Sequence, residues 1–230
     1  MHSLYTNMSN NSTKDFILPK FLLDILIDVA IVVLMVVVIR LFLFAPFQVH
    51  GQSMCDTFNV FNGECYSGDG EYVLTSRLST WDIFDWSPTS IQRGDVVIFL
   101  APYTEQKEYY IKRVIGLPGD TVKVEDGYVY VEDEDGSFVK LEEDYLNSDN
   151  YGNTNPHRTT SQIFTVPEDS YFVLGDNRMK SNDSRRCFQN TGCNENSSPY
   201  LEEDRIEGEV KMVIFPFTHF RWVSSAEYSV

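Results

Sequence analysis

The pattern of apolar and polar positions divides the chain near residue 47. From Ile25 to Phe44 the sequence is apolar except for Asp28 and Arg40. At helical rise such a run spans roughly 30 Å, about one bilayer core. Asp28 and Arg40 each lie one turn from an end, where a charged head reaches the interface. Val29–Ile39 is apolar on every face, unlike an amphipathic soluble helix. Arg40–Phe44 offers no small-residue site for cleavage as a leader. The expected organisation is a loose polar tail over 1–20, a transmembrane helix over 21–47 and a domain over 48–230.

Beyond Pro46 the period becomes two. Strands are expected at 72–74, 95–99, 109–115, 121–124, 128–131, 171–174 and 209–215. Turn signals separate them: Arg93-Gly94-Asp95, Leu117-Pro118-Gly119-Asp120, Asp126-Gly127 and Leu174-Gly175-Asp176-Asn177. With no second helical pattern, the fold class is mainly β: one membrane helix followed by an all-β domain. Residues 132–162, acidic and then rich in Asn and Thr, read as a loop or insertion rather than core.

Charge changes the picture in two ways. The 230 residues carry a net charge of −16. Lys14, Lys20 and Arg40 balance Asp15, Asp24 and Asp28, so the whole excess lies in 48–230. Such a surface argues against nucleic acid as a partner. Lys14 and Lys20 precede the helix and no Lys or Arg occurs from 41 to 76, which places the amino end in the cytoplasm and the acidic domain outside. Outside the cytoplasm, the local pairs Cys55/Cys65 and Cys187/Cys193 favour two loop-closing disulfides. Four cysteines admit three connectivities, and four unpaired thiols remain the alternative.

Two segments carry candidate chemistry. Gly51-Gln52-Ser53-Met54 follows the apolar run, and Tyr110-Ile111-Lys112-Arg113 lies in an expected strand. Alternation puts Tyr110, Lys112 and Val114 on one face and Ile111, Arg113 and Ile115 on the other. A lysine held between apolar neighbours loses hydration and its pKa falls, which suits it as a base for a serine hydroxyl; on the local pattern alone, an edge-strand lysine with a solvated head and an ordinary loop serine are the alternative. His2, His50, His157 and His219 build no rival triad, and no metal-ligand pattern or phosphate loop appears. Trp81, Phe84 and Trp86 are either packing residues or an interfacial anchor.

A membrane helix, then Gly-x-Ser-Met, Arg-Gly-Asp-Val-Val-Ile-Phe (93–99), Tyr-Ile-Lys-Arg-Val-Ile-Gly-Leu-Pro-Gly-Asp (110–120) and Gly-Asp-Asn-Arg-x-x-Ser-x-Asp-Ser-Arg (175–185) together resemble bacterial type I signal peptidase. The resemblance implies a catalytic β domain of that type on the outer face of the plasma membrane. It implies a cofactor-free serine endopeptidase that cuts secretory preproteins after a small-x-small site such as Ala-x-Ala. Carried over, Ser53 is the nucleophile and Lys112 the general base, acting through an acyl-enzyme. Met54 packs beside the nucleophile, and Ser181 hydrogen-bonds and aims the lysine amine. Asp183 and Arg185 form a supporting ion pair, with Asp176 and Arg178 in the same box. Gly51 stands where some members carry a serine oxyanion donor, which leaves the Ser53 N–H with Gln52 or another backbone group. Asp56-Thr57-Phe58 replaces the usual Pro-Thr-Leu, and a Cys55–Cys65 link would supply the missing rigidity. Met179-Lys180 replaces Asp-Asn and makes Lys180 a rival base whose charge would depress the Lys112 pKa. Residues 59–70 and 187–199 look inserted. A catalytically inactive, membrane-anchored binding module is the alternative from another class. Self-cleaving SOS repressors share a core fold but are soluble and bind DNA.

Overall fold

The computed structural model describes residues 20–78, 90–104, 106–157 and 161–229. The aromatic cluster Trp81, Phe84 and Trp86 lies outside them. The chain forms two compact units, divided after Ile39.

The first unit holds α1 (Lys20–Val38), long and apolar enough to cross a membrane. A π turn follows over Ile39–Leu43, and Phe44–His50 is already a strand. The helix therefore ends before the boundary at 47. Hydropathy does not separate an apolar helix end from an apolar strand, and here pairing with a later strand decides.

Past that π turn the second unit is all β, with only short 3₁₀ turns among the described residues. Its strands are β1 (Phe44–His50), β2 (Val60–Phe61), β3 (Glu64–Cys65), β4 (Asp69–Ser76), β5 (Val96–Leu100), β6 (Tyr109–Gly116) and β7 (Thr121–Glu125). There follow β8 (Tyr128–Glu132), β9 (Phe138–Lys140), β10 (Ser161–Thr165), β11 (Ser170–Leu174), β12 (Leu201–Glu202), β13 (Ile206–Phe215) and β14 (Arg221–Trp222). The larger sheet runs β1-β4-β13-β5-β6-β11-β12, with β14 beside β13. A second sheet runs β10-β7-β8-β9, and β2-β3 form a separate hairpin. Every pairing is antiparallel, as short connections require.

Alternation fills the cores. Val122, Val124, Val129 and Val131 face Ile115, Phe164 and Phe172 in one cluster. In a second, Met54 and Phe58 join Val73, Val96, Ile98, Ile111 and Val213. That second cluster pins the segment after β1 to the sheet.

The segment 132–162 departs from the expected surface loop. Leu141 and Leu146 are buried apolar residues, and Glu143, Asn150 and Thr154 are buried polar ones. The reason lies in Arg178. It is a buried guanidinium that needs a carboxylate, and Glu143 supplies it.

Candidate active site

Gly51 turns the chain out of β1 with φ +78, a conformation that favours glycine. Residues 52–58 then close on themselves. The Cys55 N–H donates to Gln52 O at 3.1 Å, and the Thr57 and Phe58 N–H groups donate to Met54 O at 3.0 and 2.9 Å. Met54 and Phe58 face the core, which leaves Ser53 half-buried on the other side of the turn.

Lys112 sits in the middle of β6, opposite Val97 of β5. It is only 3% exposed. Its Nζ lies 2.7 Å from Ser53 Oγ and donates to Ile111 O at 2.8 Å. The Tyr110 ring lies 5.3 Å from the amine. Burial lowers the Lys112 pKa from 10.5 to about 8. Asp183 and Asp176 pull it back up, and Arg185 opposes them. A weakly held proton and a 2.7 Å contact suit general-base transfer.

The loop 175–185 lies against this pair. Gly175 approaches so closely that a Cβ there would sit 2.2 Å from Ser181 Oγ and 2.4 Å from Ser53 O. The Asn177 N–H donates to Ser53 O at 3.1 Å, and the Asp176 N–H lies 3.4 Å from Met54 Sδ. Asp183 is fully buried and takes Arg185 Nε and Nη2 at 2.9 and 2.8 Å and the Gly175 N–H at 3.1 Å. Burial alone would raise the Asp183 carboxyl; Arg185 and the Gly175 N–H outweigh it and hold the group below its ordinary value.

Ser181 is placed differently from the expectation. Lys112 Nζ bonds Ser53 and Ile111, while Ser181 Oγ is buried without a hydrogen bond of ordinary geometry. It leans instead toward Asp183, close enough to help keep that carboxylate ionised. Lys180 lines the same cleft as Ser53 but is exposed. The cation that lowers the Lys112 pKa is Arg185. His50 pairs with Asp69 at the surface at 2.9 Å, and His219 lies 2.9 Å from Glu71. Among the described residues no histidine hydrogen-bonds Ser53 or Lys112.

Several residues at this site had only weak sequence signals. Arg113 points away from Lys112 and grips Asp176 through Nε and Nη2 at 3.0 and 2.8 Å; Thr57 donates to the same carboxylate. Glu143 holds Arg178 by two bonds of 3.0 and 2.6 Å, assisted by Thr154 and Tyr145. Beneath the 52–58 turn, Asn59 donates to Val49 O and Gly51 O, each at 3.2 Å. Its N–H reaches Glu71, which Arg221 also holds at 2.6 and 2.9 Å. A guanidinium in a core-facing strand position was the available signal for Arg113; Glu143 was hidden in an acidic run. The sulfurs are bonded Cys55–Cys65 and Cys187–Cys193.

The cleft beside the pair has a volume of about 460 Å³ and is lined by Phe47, Val49, Ile98 and Tyr110 together with Ser53 and Lys112. Gln52 lines it as well. The Ser53 N–H has no hydrogen-bond acceptor among the described residues. The arrangement sets a serine hydroxyl and a buried lysine amine side by side at a cleft lined by both apolar and polar residues.

The family model described as signal peptidase, peptidase S26, matches residues 22–215. Signal peptidase I T of Bacillus subtilis is 33% identical over 84% of this chain and 85% of its own length. Signal peptidase IB of Staphylococcus aureus is 27% identical over 89% of this chain and 95% of its own. A crystal structure of a signal peptidase I from Enterococcus faecalis shares 32% identity, covers 53% of this chain and 97% of its own, and gives a TM-score of 0.38. The chain belongs to the signal peptidase family, peptidase S26, and is a serine endopeptidase of that family.

Proposed function

We propose that the chain removes signal peptides from secreted preproteins after a small-x-small site, with Ser53 as nucleophile and Lys112 as general base. The observation that carries this reading is the 2.7 Å contact between Ser53 Oγ and an amine whose pKa is lowered to about 8. In the first step, neutral Lys112 takes the Ser53 proton while Oγ attacks the scissile carbonyl. The Ser53 N–H faces the developing oxyanion; one such donor is worth ~2.7–4 kcal/mol. The ammonium then protonates the departing amine, which leaves an ester on Ser53. A water, deprotonated by the same amine, hydrolyses the ester. Phe47, Val49 and Ile98 supply apolar contact for the signal peptide.

In this reading α1 spans the bilayer with residues 1–20 in the cytoplasm and 48–230 outside. Lys14, Lys20 and the absence of Lys and Arg over 41–76 support that orientation. The test is cleavage of a purified preprotein by the full chain in detergent, followed by sequencing of the new amino terminus. Ser53→Ala and Lys112→Ala are each expected to abolish cleavage. Retained cleavage in either variant refutes the pair, and a new terminus that does not follow a small-x-small site refutes the specificity.

A further inference from the structure

Ser53 and Lys112 stand on separate elements, so their contact depends on how the 52–58 turn is held against its neighbours. On one side the 175–185 loop holds it, through the Asn177 N–H on Ser53 O and the Asp176 N–H on Met54 Sδ. The other side rests on Asp56, three residues from the nucleophile. Asp56 has φ +124, a conformation that residues with a side chain rarely adopt. Such a residue persists only where its surroundings hold it.

What holds it comes from the segment that reads as an acidic insertion. The Asn147 N–H and Nδ2 donate to the Asp56 carboxylate at 2.9 and 2.6 Å, and Asn150 Nδ2 donates to it at 2.9 Å. Asn150 is 3% exposed, and its Oδ1 accepts the Met179 N–H at 3.3 Å. The carboxylate demands a donor and the N–H an acceptor, so the amide orientation is fixed. One buried side chain thus joins the nucleophile turn to the backbone two residues before Ser181. The segment is itself anchored, because Glu143 holds Arg178 and the Tyr145 ring lies 4.0 Å from the Arg113 guanidinium.

We propose that Asn150, together with Asn147, is a positioning residue for the reaction: by clamping Asp56 to the 175–185 loop it sets the Ser53–Lys112 distance. The inference rests on that pair being the catalytic one. It adds that residues 141–154 are a strut for the active site. Misplacing a reacting atom by about 1 Å costs on the order of 100-fold in rate, so a strut acts on turnover.

The test uses the full chain in detergent, reading kcat and KM for preprotein cleavage together with the melting temperature. Asn150→Asp keeps the shape and the acceptor for Met179 but turns an oxygen toward Asp56. A fall in kcat of about tenfold or more, with KM changed less than twofold, is expected. Asn147→Ala removes an exposed donor to Asp56, along with the acceptor for the Asp149 and Asn150 N–H groups, and should lower kcat several-fold if Asn150→Asp does not fold. Unchanged kcat in Asn150→Asp or Asn147→Ala, whatever happens to melting, overturns the proposal. Ser53→Ala and Lys112→Ala run in parallel: their retained activity would indict the catalytic pair, whereas their inactivity beside a fully active Asn150→Asp indicts the strut alone.

Discussion

Raising the pH from 7 to 9 should accelerate preprotein cleavage about tenfold, and the acceleration tests the environment of Lys112. Burial penalises its ammonium and lowers the pKa from 10.5 to about 8. That difference corresponds to about 3.4 kcal/mol against the charged form. At pH 7 roughly a tenth of the amine is then neutral, against about three parts in ten thousand for a solvated lysine. At pH 9 about nine tenths is neutral, so kcat/KM should climb through a single limb near pH 8. The assay is the initial rate of preprotein cleavage by the full chain in detergent, at constant ionic strength and with substrate well below KM. Two variants fix the sign. Asp183→Asn removes the anion that most favours the ammonium, so the limb should move to lower pH even as the plateau falls. Arg185→Gln removes the opposing cation and leaves Asp183 unneutralised, so the limb should move to higher pH. A rate flat between pH 7 and 9, or shifts of the same sign in both variants, would refute this account.

The same burial predicts that Lys112→Met is inactive yet more stable at pH 7. The folded-state pKa lies below the unfolded one, so the penalty is fully present below pH 8 and fades as the pH rises toward 10.5. The gain is up to about 3 kcal/mol, or about 2–4 °C in Tm for each kcal/mol, read by thermal unfolding; a variant melting at or below the wild type would reject a strained ammonium. Glu143→Gln strips the carboxylate from buried Arg178 and should cost about 3–5 kcal/mol in urea denaturation. A loss under about 1 kcal/mol would mean that Thr154 and Tyr145 suffice for Arg178. Replacing Cys55 and Cys65 by serine opens a loop of sequence separation 10, for which chain entropy gives about 2.7 kcal/mol. Unfolding insensitive to this replacement would show that the core contacts of Met54 and Phe58 hold the turn alone.

Much of this architecture was legible in the sequence because period and punctuation agree with it. The strand signals at 121–124 and 128–131 around Asp126-Gly127 correspond to the β7-β8 hairpin, since alternating valines bury one face and the turn residues admit the reversal. The helix end was not legible, because Phe44–Phe47 is as apolar as a helix and only its pairing with β4 makes it a strand. The strands β2, β3, β12 and β14 hold two residues each, too few for any periodicity. At the site, Lys112 stood out because its motif (110–120) is long, and Ser53 because Gly51-Gln52-Ser53-Met54 precedes that motif in the order the resemblance implies. Their supports did not. Glu143, Asn147 and Asn150 lie in a polar stretch whose composition is that of a solvated loop, and only the tertiary need of Arg178 and Asp56 for partners reveals their role.

Buried ion pairs also explain how the Lys112 pKa stays low beside two carboxylates. Asp183 and Asp176 both favour the Lys112 ammonium, and left unpaired in so buried a place they would raise its pKa and leave Ser53 without a proton acceptor. Each is instead engaged by a guanidinium, Asp183 by Arg185 and Asp176 by Arg113, in pairs with side chains no more than 4% exposed. Buried ion pairs add little net stability over an apolar packing of the same volume, so stability is a poor reason for placing them here. Their effect on the neighbouring amine is a better one. By neutralising the carboxylates they let desolvation dominate at Lys112, while the same carboxylates hold the Gly175 N–H and the Thr57 hydroxyl and so keep the two loops in register. One set of charges thus serves both requirements of the proposed lysine base: an amine that gives up its proton, and a hydroxyl held where that amine could take another.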